Sequence, residues 1–91
     1  MAESKNGATI AYRRFREKFK SHRERAGMTQ YELAMAIGVA PPMVSFYESG
    51  KRRPSKIVLV QIREALMLED NEFIELIYLA TGSSYRDKPH V

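Results

Sequence analysis

Residues 28–54, MTQYELAMAIGVAPPMVSFYESGKRRP, decide the predicted fold of this chain. Thr29 followed three residues later by Glu32 is the capping-box pattern of a helix N-terminus. The next apolar residues recur at helical spacing on one face: Leu33, Ala34 and Ile37. Gly38 lies where this helix must stop, because glycine adopts the left-handed conformation of a helix end without steric penalty. The pattern predicts a helix over about 30–37.

A second short helix is predicted over about 42–49. Its apolar residues Val44 and Tyr47 lie three positions apart, on the face that can pack against the preceding helix. Gly50 ends this helix, and the basic segment Lys51-Arg52-Arg53 follows it. Two helices joined by a short turn that contains glycine form a helix-turn-helix motif.

The spacing of this motif resembles that of the Cro/phage-repressor (XRE-like) class of helix-turn-helix proteins, which are small bacterial and phage regulators. The class pattern is Thr/Ser-Gln, two residues, Leu-Ala, three residues and Gly-Val, then Ser, two residues, Glu, one residue and Gly-Lys, with Pro shortly after. The chain supplies these residues in register: Thr29, Gln30, Leu33, Ala34, Gly38, Val39, Ser45, Glu48, Gly50, Lys51 and Pro54. The resemblance spans about residues 15–68 and implies an all-α, five-helix lambda-repressor-like DNA-binding domain.

Composition limits the classes of protein that the chain can belong to. The 91 residues are enough for one domain, and the absence of cysteine excludes a disulfide framework or a thiolate metal site. No apolar run is long enough to cross a membrane, and no signal-peptide apolar region is present. Paired carboxylates, a nucleophile–base set and a phosphate-binding glycine loop are all missing. We therefore expect a cytoplasmic, nucleoid-associated protein that is not an enzyme and needs no metal or other cofactor.

The net charge of +4 understates a local imbalance. Basic residues dominate residues 5–25 and recur over 51–63. The following acidic residues are predicted to have no basic neighbour: Glu64, Glu69, Asp70, Glu72 and Glu75. We expect one end of the fold to attract polyanions and the other to repel them. The alternative is that these charges only solvate helix faces.

Three further helices complete the predicted domain, residues 9–82, with the motif at about 29–50. The first should run from Thr9, as its cap, to about Ala26, with one apolar stripe: Tyr12, Phe15, Phe19, His22 and Ala26. The fourth should begin after Ser55 and end near Leu68. The fifth should be capped by Asp70 or Asn71 and end near Thr81. Residues 1–8 are expected to be a disordered arm and residues 83–91 a flexible tail.

His22 is expected to be either packed in the stripe of the first helix or exposed at its edge. The other histidine, His90, is distant in sequence, and no cysteine or suitably spaced carboxylate completes a metal site.

In the resembled class, the second helix of the motif lies in the major groove of DNA. The resemblance implies these base-facing residues: Ala40, Pro41, Pro42, Ser45 and Phe46. Because a residue before proline is disfavoured in the α region, we expect this helix to begin late, at Pro42 or Met43. Proline donates no hydrogen bond, so contacts to thymine methyl groups and DNA shape should dominate recognition. The alternatives are that the prolines only stiffen the turn and that Phe46 packs in the core.

A second set of residues is expected to contact phosphates: Gln30, Ser49, Lys51, Arg52 and Arg53. Gln30 opens the first helix of the motif, where the class commonly binds a phosphate, and the other four follow the recognition helix. Such contacts give salt-dependent affinity and do not choose the sequence. The alternative for residues 51–53 is a solvated loop.

The resemblance also implies an ion pair between Arg23 of the first helix and Glu48 of the recognition helix. We expect this pair to be partly buried and to fix the angle between the two helices. The alternative is an exposed pair that contributes little to stability.

The fifth helix is apolar on nearly all sides over residues 73–80. A helix of this kind is either central or covered by a partner. We expect a homodimer through Phe73, Ile74, Ile77 and Tyr78, which would place two recognition helices about 34 Å apart on a pseudo-palindrome. The alternative is that the tail or a second domain covers this face.

The leading functional interpretation is a sequence-specific transcriptional regulator, a repressor that binds its operator on double-stranded DNA as a dimer. One alternative is the antitoxin of a toxin–antitoxin pair, which would bind a toxin and repress its own operon. Another is a module that binds an effector domain or other protein and has lost the ability to distinguish bases.

Overall fold

The computed structural model describes residues 7–81 of the chain. This part contains five α-helices and no strand: α1 (Gly7–Arg25), α2 (Gln30–Ile37), α3 (Pro42–Ser49), α4 (Lys56–Leu66) and α5 (Asp70–Thr81). The predicted all-α, lambda-repressor-like class is confirmed, and α2 and α3 have the bounds predicted from the sequence. The C-terminal tail and most of the predicted N-terminal arm lie outside the described residues.

The predicted ends of α2 are confirmed in atomic detail. The Thr29 hydroxyl accepts a hydrogen bond from the Glu32 amide at 3.0 Å, and the Glu32 carboxylate accepts one from the Thr29 amide at 3.0 Å. Gly38 has a φ of 74°, and its N–H donates to the carbonyls of Ala34 and Met35. These bonds satisfy backbone groups that a helix of eight residues would otherwise leave unpaired.

Two predictions about α1 are wrong. The helix begins at Gly7, so Thr9 lies inside it and does not cap it. The helix ends at Arg25, and Ala26 is exposed instead of continuing the apolar stripe. Ala26 belongs to the turn, where its N–H donates to the His22 and Arg23 carbonyls, both at 3.1 Å.

The predicted ends between α4 and α5 also differ from the structure, although the Ser55 cap of α4 is confirmed by its bond to the Val58 amide. Helix α4 stops at Leu66 and not near Leu68, because Met67 takes the left-handed position with a φ of 53°. Neither Asp70 nor Asn71 caps α5. Instead, the Glu72 carboxylate accepts a hydrogen bond from the Glu69 amide at 3.0 Å, which places the cap one residue earlier.

A row of stacked aromatic rings on α1 forms the centre of the core. The ring centroids of Tyr12 and Phe15 lie 5.0 Å apart, and those of Phe15 and Phe19 lie 5.6 Å apart. The edge of Tyr47 on α3 then meets the Phe19 ring at 6.3 Å. Further buried residues come from every other helix and from the connection between α4 and α5: Leu33, Ala34, Ile37, Val44, Leu59, Ile62, Leu66, Leu68, Leu76, Leu79 and Ala80. Helix α1 therefore packs on both α3 and α5, while α2 packs on α3 and α4.

The acidic residues of α5 have basic partners, contrary to the expectation from the sequence. Lys18 Nζ lies 3.4 Å from Glu75, and Arg25 Nη1 lies 2.9 Å from Glu72. Asp70 pairs with Arg63 of α4. Because α1 and α5 are distant in the sequence, only their packing brings these charges together.

His22 is buried where α1 meets α5, as predicted for a packed residue. Its Nε2 atom is buried without a hydrogen-bond partner. Burial lowers the pKa of His22 below its ordinary 6.5; the charge of Glu72 acts in the opposite direction and that of Arg25 in the same direction. Within residues 7–81, no three His, Cys, Asp or Glu side chains are grouped closely enough to hold a metal ion. No helix of this part is long and apolar enough to cross a membrane.

We expect the free energy of unfolding to fall as the pH drops from neutral through 6.5, the ordinary pKa of His22. The unfolded chain binds a proton at the ordinary pKa of His22 and the folded protein only at a lower pH, so protonation favours unfolding. Glu72, whose pKa the Arg25 hydrogen bond lowers to about 2, stays ionised in this range. Urea unfolding of wild type and His22→Leu measures the effect, and the variant should show a weaker pH dependence. An equal dependence in both proteins would contradict this role of His22.

Candidate nucleic-acid interface

A buried polar network joins the first three helices. Arg23 of α1 donates from Nε to Glu48 Oε2 of α3 at 2.7 Å and from Nη2 to Glu48 Oε1 at 3.2 Å. Gln30 at the start of α2 donates from Nε2 to the same Oε1 atom at 2.9 Å. Arg23 Nη1 also donates to the Met28 carbonyl at 2.7 Å. The Arg23 and Glu48 side chains are only 10% and 8% exposed, so this is the partly buried pair that the resemblance implies.

The Arg23–Glu48–Gln30 network links α1, α2 and α3 through directional contacts. A two-point contact between a guanidinium and a carboxylate restrains angle as well as distance. The hydrogen bonds that Arg23 donates to Glu48 raise the pKa of Arg23, so its guanidinium stays charged. Gln30, which the sequence assigns to a phosphate, uses one amide hydrogen inside the protein. Its side chain therefore holds the start of α2 against α3.

Helix α3 begins at Pro42, which is one of the two predicted starting points. The expectation that a residue before proline avoids the α region is wrong for Pro41. Pro41 has a φ of −49° and a ψ of −40°, so it lies in the α region despite preceding another proline. The structure has no side-chain cap here, and the first amide available, that of Met43, donates to the Ala40 carbonyl at 2.9 Å. The start of α3 therefore offers few free N–H groups to an anion.

The residues assigned to base contacts lie at the surface of the protein. Ala40, Pro41, Pro42 and Ser45 are exposed, and Phe46 is half-buried. Phe46 does not belong to the hydrophobic core cluster, and Lys51 Nζ lies 5.8 Å from its ring centroid. The exposed face at the start of α3 is thus mostly apolar, with the Ser45 hydroxyl as its polar group.

The basic segment begins beside this face. The Ser49 hydroxyl donates to the Phe46 carbonyl at 3.2 Å, and the Arg52 amide reaches the same carbonyl at 3.3 Å. These bonds fold the backbone back onto the end of α3. The Lys51 and Arg52 side chains remain exposed there, where a polyanion along α3 could reach them.

Arg53 is exposed like Lys51 and Arg52, but its guanidinium contacts two other parts of the fold. Its guanidinium carbon lies 4.4 Å from the centroid of the Tyr12 ring, and Nη1 donates to the Ala80 carbonyl at 3.3 Å. The Tyr12 hydroxyl donates to the Arg52 carbonyl at 3.1 Å, and burial raises the pKa of Tyr12 to about 12, so the donor stays protonated. These contacts favour a structural role for Arg53, whereas the sequence predicts a phosphate contact.

Arg16 of α1 is a further residue of this region, and the sequence did not single it out. Its guanidinium lies against Gly50, where a Cβ atom would come within 3.0 Å of Arg16 Nη1. Gly50 also has a φ of 86°, so both its conformation and this close approach favour glycine. The only signal in the sequence is spacing, since Arg16 lies two helical turns before Arg23 on the same face.

The residues assigned to a dimer interface differ in exposure. Phe73 and Ile77 are partly buried against the core, while Ile74 and Tyr78 are each 48% exposed. A groove of about 240 Å³ separates α4 from α5 and is lined by Lys56, Leu59, Val60, Phe73 and Ile77. The other side of α5 packs on α1 and is covered without a partner.

Comparison with known proteins agrees with this geometry. A family model described as helix-turn-helix matches residues 19–71, more than half of the chain. The chain belongs to this family, in its Cro/C1-type class. The family is one of DNA-binding regulators and not typically of enzymes. Comparison with curated proteins and with solved structures gave no match.

Replacing Glu48 by glutamine should lower the free energy of unfolding by about 3–5 kcal/mol, because it leaves the buried Arg23 charge without its partner. Glu75→Gln is the matched control: its partner Lys18 is 42% exposed, and we expect a loss of at most about 1 kcal/mol. Urea unfolding of both variants measures the difference. Equal small losses would show that the Arg23–Glu48 pair does not fix the motif.

Proposed function

We propose that the protein is a sequence-specific transcriptional regulator that binds double-stranded DNA in the cytoplasm, and that it acts as a repressor by occupying its operator. The observation that carries the proposal is the exposed face of α3, which lies directly beside the exposed cations Lys51 and Arg52. Family membership supports placing this face in the major groove.

The chemistry of this face defines how it would recognise DNA. Ala40, Pro41 and Pro42 are compact and lack donors that can bond a base edge, so they fit beside thymine methyl groups. Ser45 is the residue of this face that can bond a base or a phosphate. Phe46 adds an apolar surface one turn further along. We therefore propose that methyl contacts and sequence-dependent DNA shape supply most of the specificity.

Phosphate contacts would fix the position of the protein on the duplex. We assign Ser49, the last residue of α3, to this role together with Lys51 and Arg52, which follow the helix, because all three are exposed. Gln30 can add a contact through the part of its amide that Glu48 leaves free. Arg53 contacts Tyr12 and Ala80, and these contacts favour a role in holding the loop in place and not a phosphate contact.

Selection of bound sequences from a random DNA library tests this proposal. The wild-type protein should enrich a two-fold symmetric consensus that contains thymines at positions facing α3. Phe46→Ala should weaken the preference at those positions, because it removes apolar contact area. Thermal melting of the variant controls for loss of folding. Salt-sensitive binding without any enriched sequence would contradict base recognition and favour the alternative of a protein-binding module.

We further propose a homodimer formed through the exposed part of α5 and the groove beside α4. Ile74 and Tyr78 present large apolar side chains to solvent next to the half-buried Phe73 and Ile77. Exposed apolar residues that adjoin a groove are typical of an interaction surface. Two-fold pairing would place two copies of α3 about one DNA turn apart. A toxin or effector domain seated on this surface is the competing arrangement.

Sedimentation equilibrium at micromolar concentration tests the dimer. The wild-type protein should have twice the mass of one chain, and Tyr78→Glu should shift it toward the monomer by placing a charge in an apolar contact. Met67→Glu is the matched control, because Met67 is also an exposed apolar residue, at 79%, but lies outside the proposed surface. A monomer mass for the wild type at all concentrations would exclude the dimer.

A further inference from the structure

The cations of α1 divide between two sides of the helix. On the side of α5, Lys18 pairs with Glu75 and Arg25 pairs with Glu72. A separate row of cations, the α1 basic edge, consists of Arg13, Arg16 and Lys20, of which Arg16 lies against Gly50 at the end of α3. These three residues are spaced at i, i+3 and i+7 and therefore share one face. Among residues 7–81, none of the three has a carboxylate within ion-pair distance.

Arg16 ties the α1 basic edge to the end of the recognition helix. Its Nη1 atom lies against Gly50, directly before Lys51. Arg16 is half-buried, and its Nε atom is buried without a hydrogen-bond partner. The edge continues with exposed Lys20 toward Arg23, whose contact with Glu48 shows that this side of α1 faces α3. Arg16 therefore adjoins the segment that carries Lys51, and the exposed Arg13 and Lys20 extend the positive charge along α1.

We propose that the α1 basic edge is a second contact with the phosphate backbone of duplex DNA, beside the contacts made by the motif. The proposal rests on the proposed function, because the motif must first place the duplex along α3. A row of unpaired cations next to a groove-binding helix is the kind of surface that phosphates bind. Lys20 and Arg13 supply the exposed charges, and Arg16 supplies the link to the motif.

Most of this edge lies outside the part of the chain that the family model matches. The match begins at residue 19, so Arg13 and Arg16 belong to a segment that the family assignment does not cover. The segment is firmly placed, because Tyr12 and Phe15 are buried and the Tyr12 hydroxyl bonds to the Arg52 carbonyl. Phosphate contacts along it would require little ordering of the backbone on binding.

An acidic residue beside the α1 basic edge provides a variant that should strengthen DNA binding, whereas the loss of a cation should weaken it. Glu17 is exposed and lies four residues after Arg13 and three before Lys20, beside the edge. A phosphate bound to the edge would be repelled by this carboxylate. Glu17→Gln should therefore strengthen DNA binding, which a mere loss of folding cannot do.

The experiment measures binding of the full chain to a fluorescent random-sequence duplex by anisotropy over a range of salt concentrations. The double variant Arg13→Gln/Lys20→Gln should reduce the slope of log K against log salt by about two, because two phosphates are no longer neutralised. The charge-matched control Arg14→Gln/Lys18→Gln removes two cations of α1 outside the edge and should leave the slope nearly unchanged. Lys51→Gln serves as the reference for a cation of the motif and should reduce the slope by about one.

The outcomes separate this proposal from the proposed function. If Lys51→Gln lowers the slope but the edge variant does not, the edge makes no contact and the regulator assignment stands. Equal reductions in the edge and control variants would show an effect of net charge alone and overturn the proposal. Wild-type binding that does not depend on salt would overturn both. Binding of polyglutamate through the edge, with DNA binding unaffected by the edge variant, would overturn the proposal and assign the edge to an acidic protein instead.

Discussion

The hydrogen-bonded Arg23–Glu48–Gln30 network is the constraint on which the arrangement of the motif depends. Helices α2 and α3 have eight residues each, which is too short to be stable in isolation. Their shared apolar face keeps them together, but apolar packing is not directional. The network adds direction, because the Arg23 guanidinium contacts both oxygens of Glu48 and Gln30 contacts one of the same oxygens. The angle at which α3 faces outward therefore follows from hydrogen-bond geometry.

Proline gives the exposed end of α3 an unusual chemistry. The rings of Pro41 and Pro42 fix φ near the value of a helix, which restrains the helix start before any partner binds. The same residues remove two N–H groups that would otherwise attract an anion. The start of α3 is therefore restrained but lacks two backbone donors, so a partner must be recognised at this end by shape and apolar contact. The positive charge needed for a polyanion comes from Lys51 and Arg52, which follow the other end of the helix.

The sequence predicted the motif well because its signals are local. The capping box at Thr29 and the left-handed Gly38 determine the bounds of α2 through contacts within a few residues. Met67 gives no comparable signal, since a left-handed residue other than glycine is stabilised only by its surroundings. The prediction that the acidic residues of α5 lack basic partners is wrong for a similar reason. The partners Lys18 and Arg25 come from a helix about fifty residues earlier in the sequence. The candidate site shows the same division. Helical spacing could place Ala40 and Ser45 on one surface. Arg52 and Arg53 are both exposed, and only the tertiary contacts of Arg53 with Tyr12 and Ala80 distinguish the two.

The outward face of α3 and the basic segment after it form one surface, and we propose that they dock together on duplex DNA. Titration of the isotopically labelled protein with an oligonucleotide duplex at low ionic strength, followed through backbone amide signals, tests this docking. We expect the signals of Ala40, Ser45 and Lys51 to shift, while those on the outer side of α4, such as Glu64, stay in place. Unmoved signals along α3, or shifts confined to α4 and α5, would contradict it.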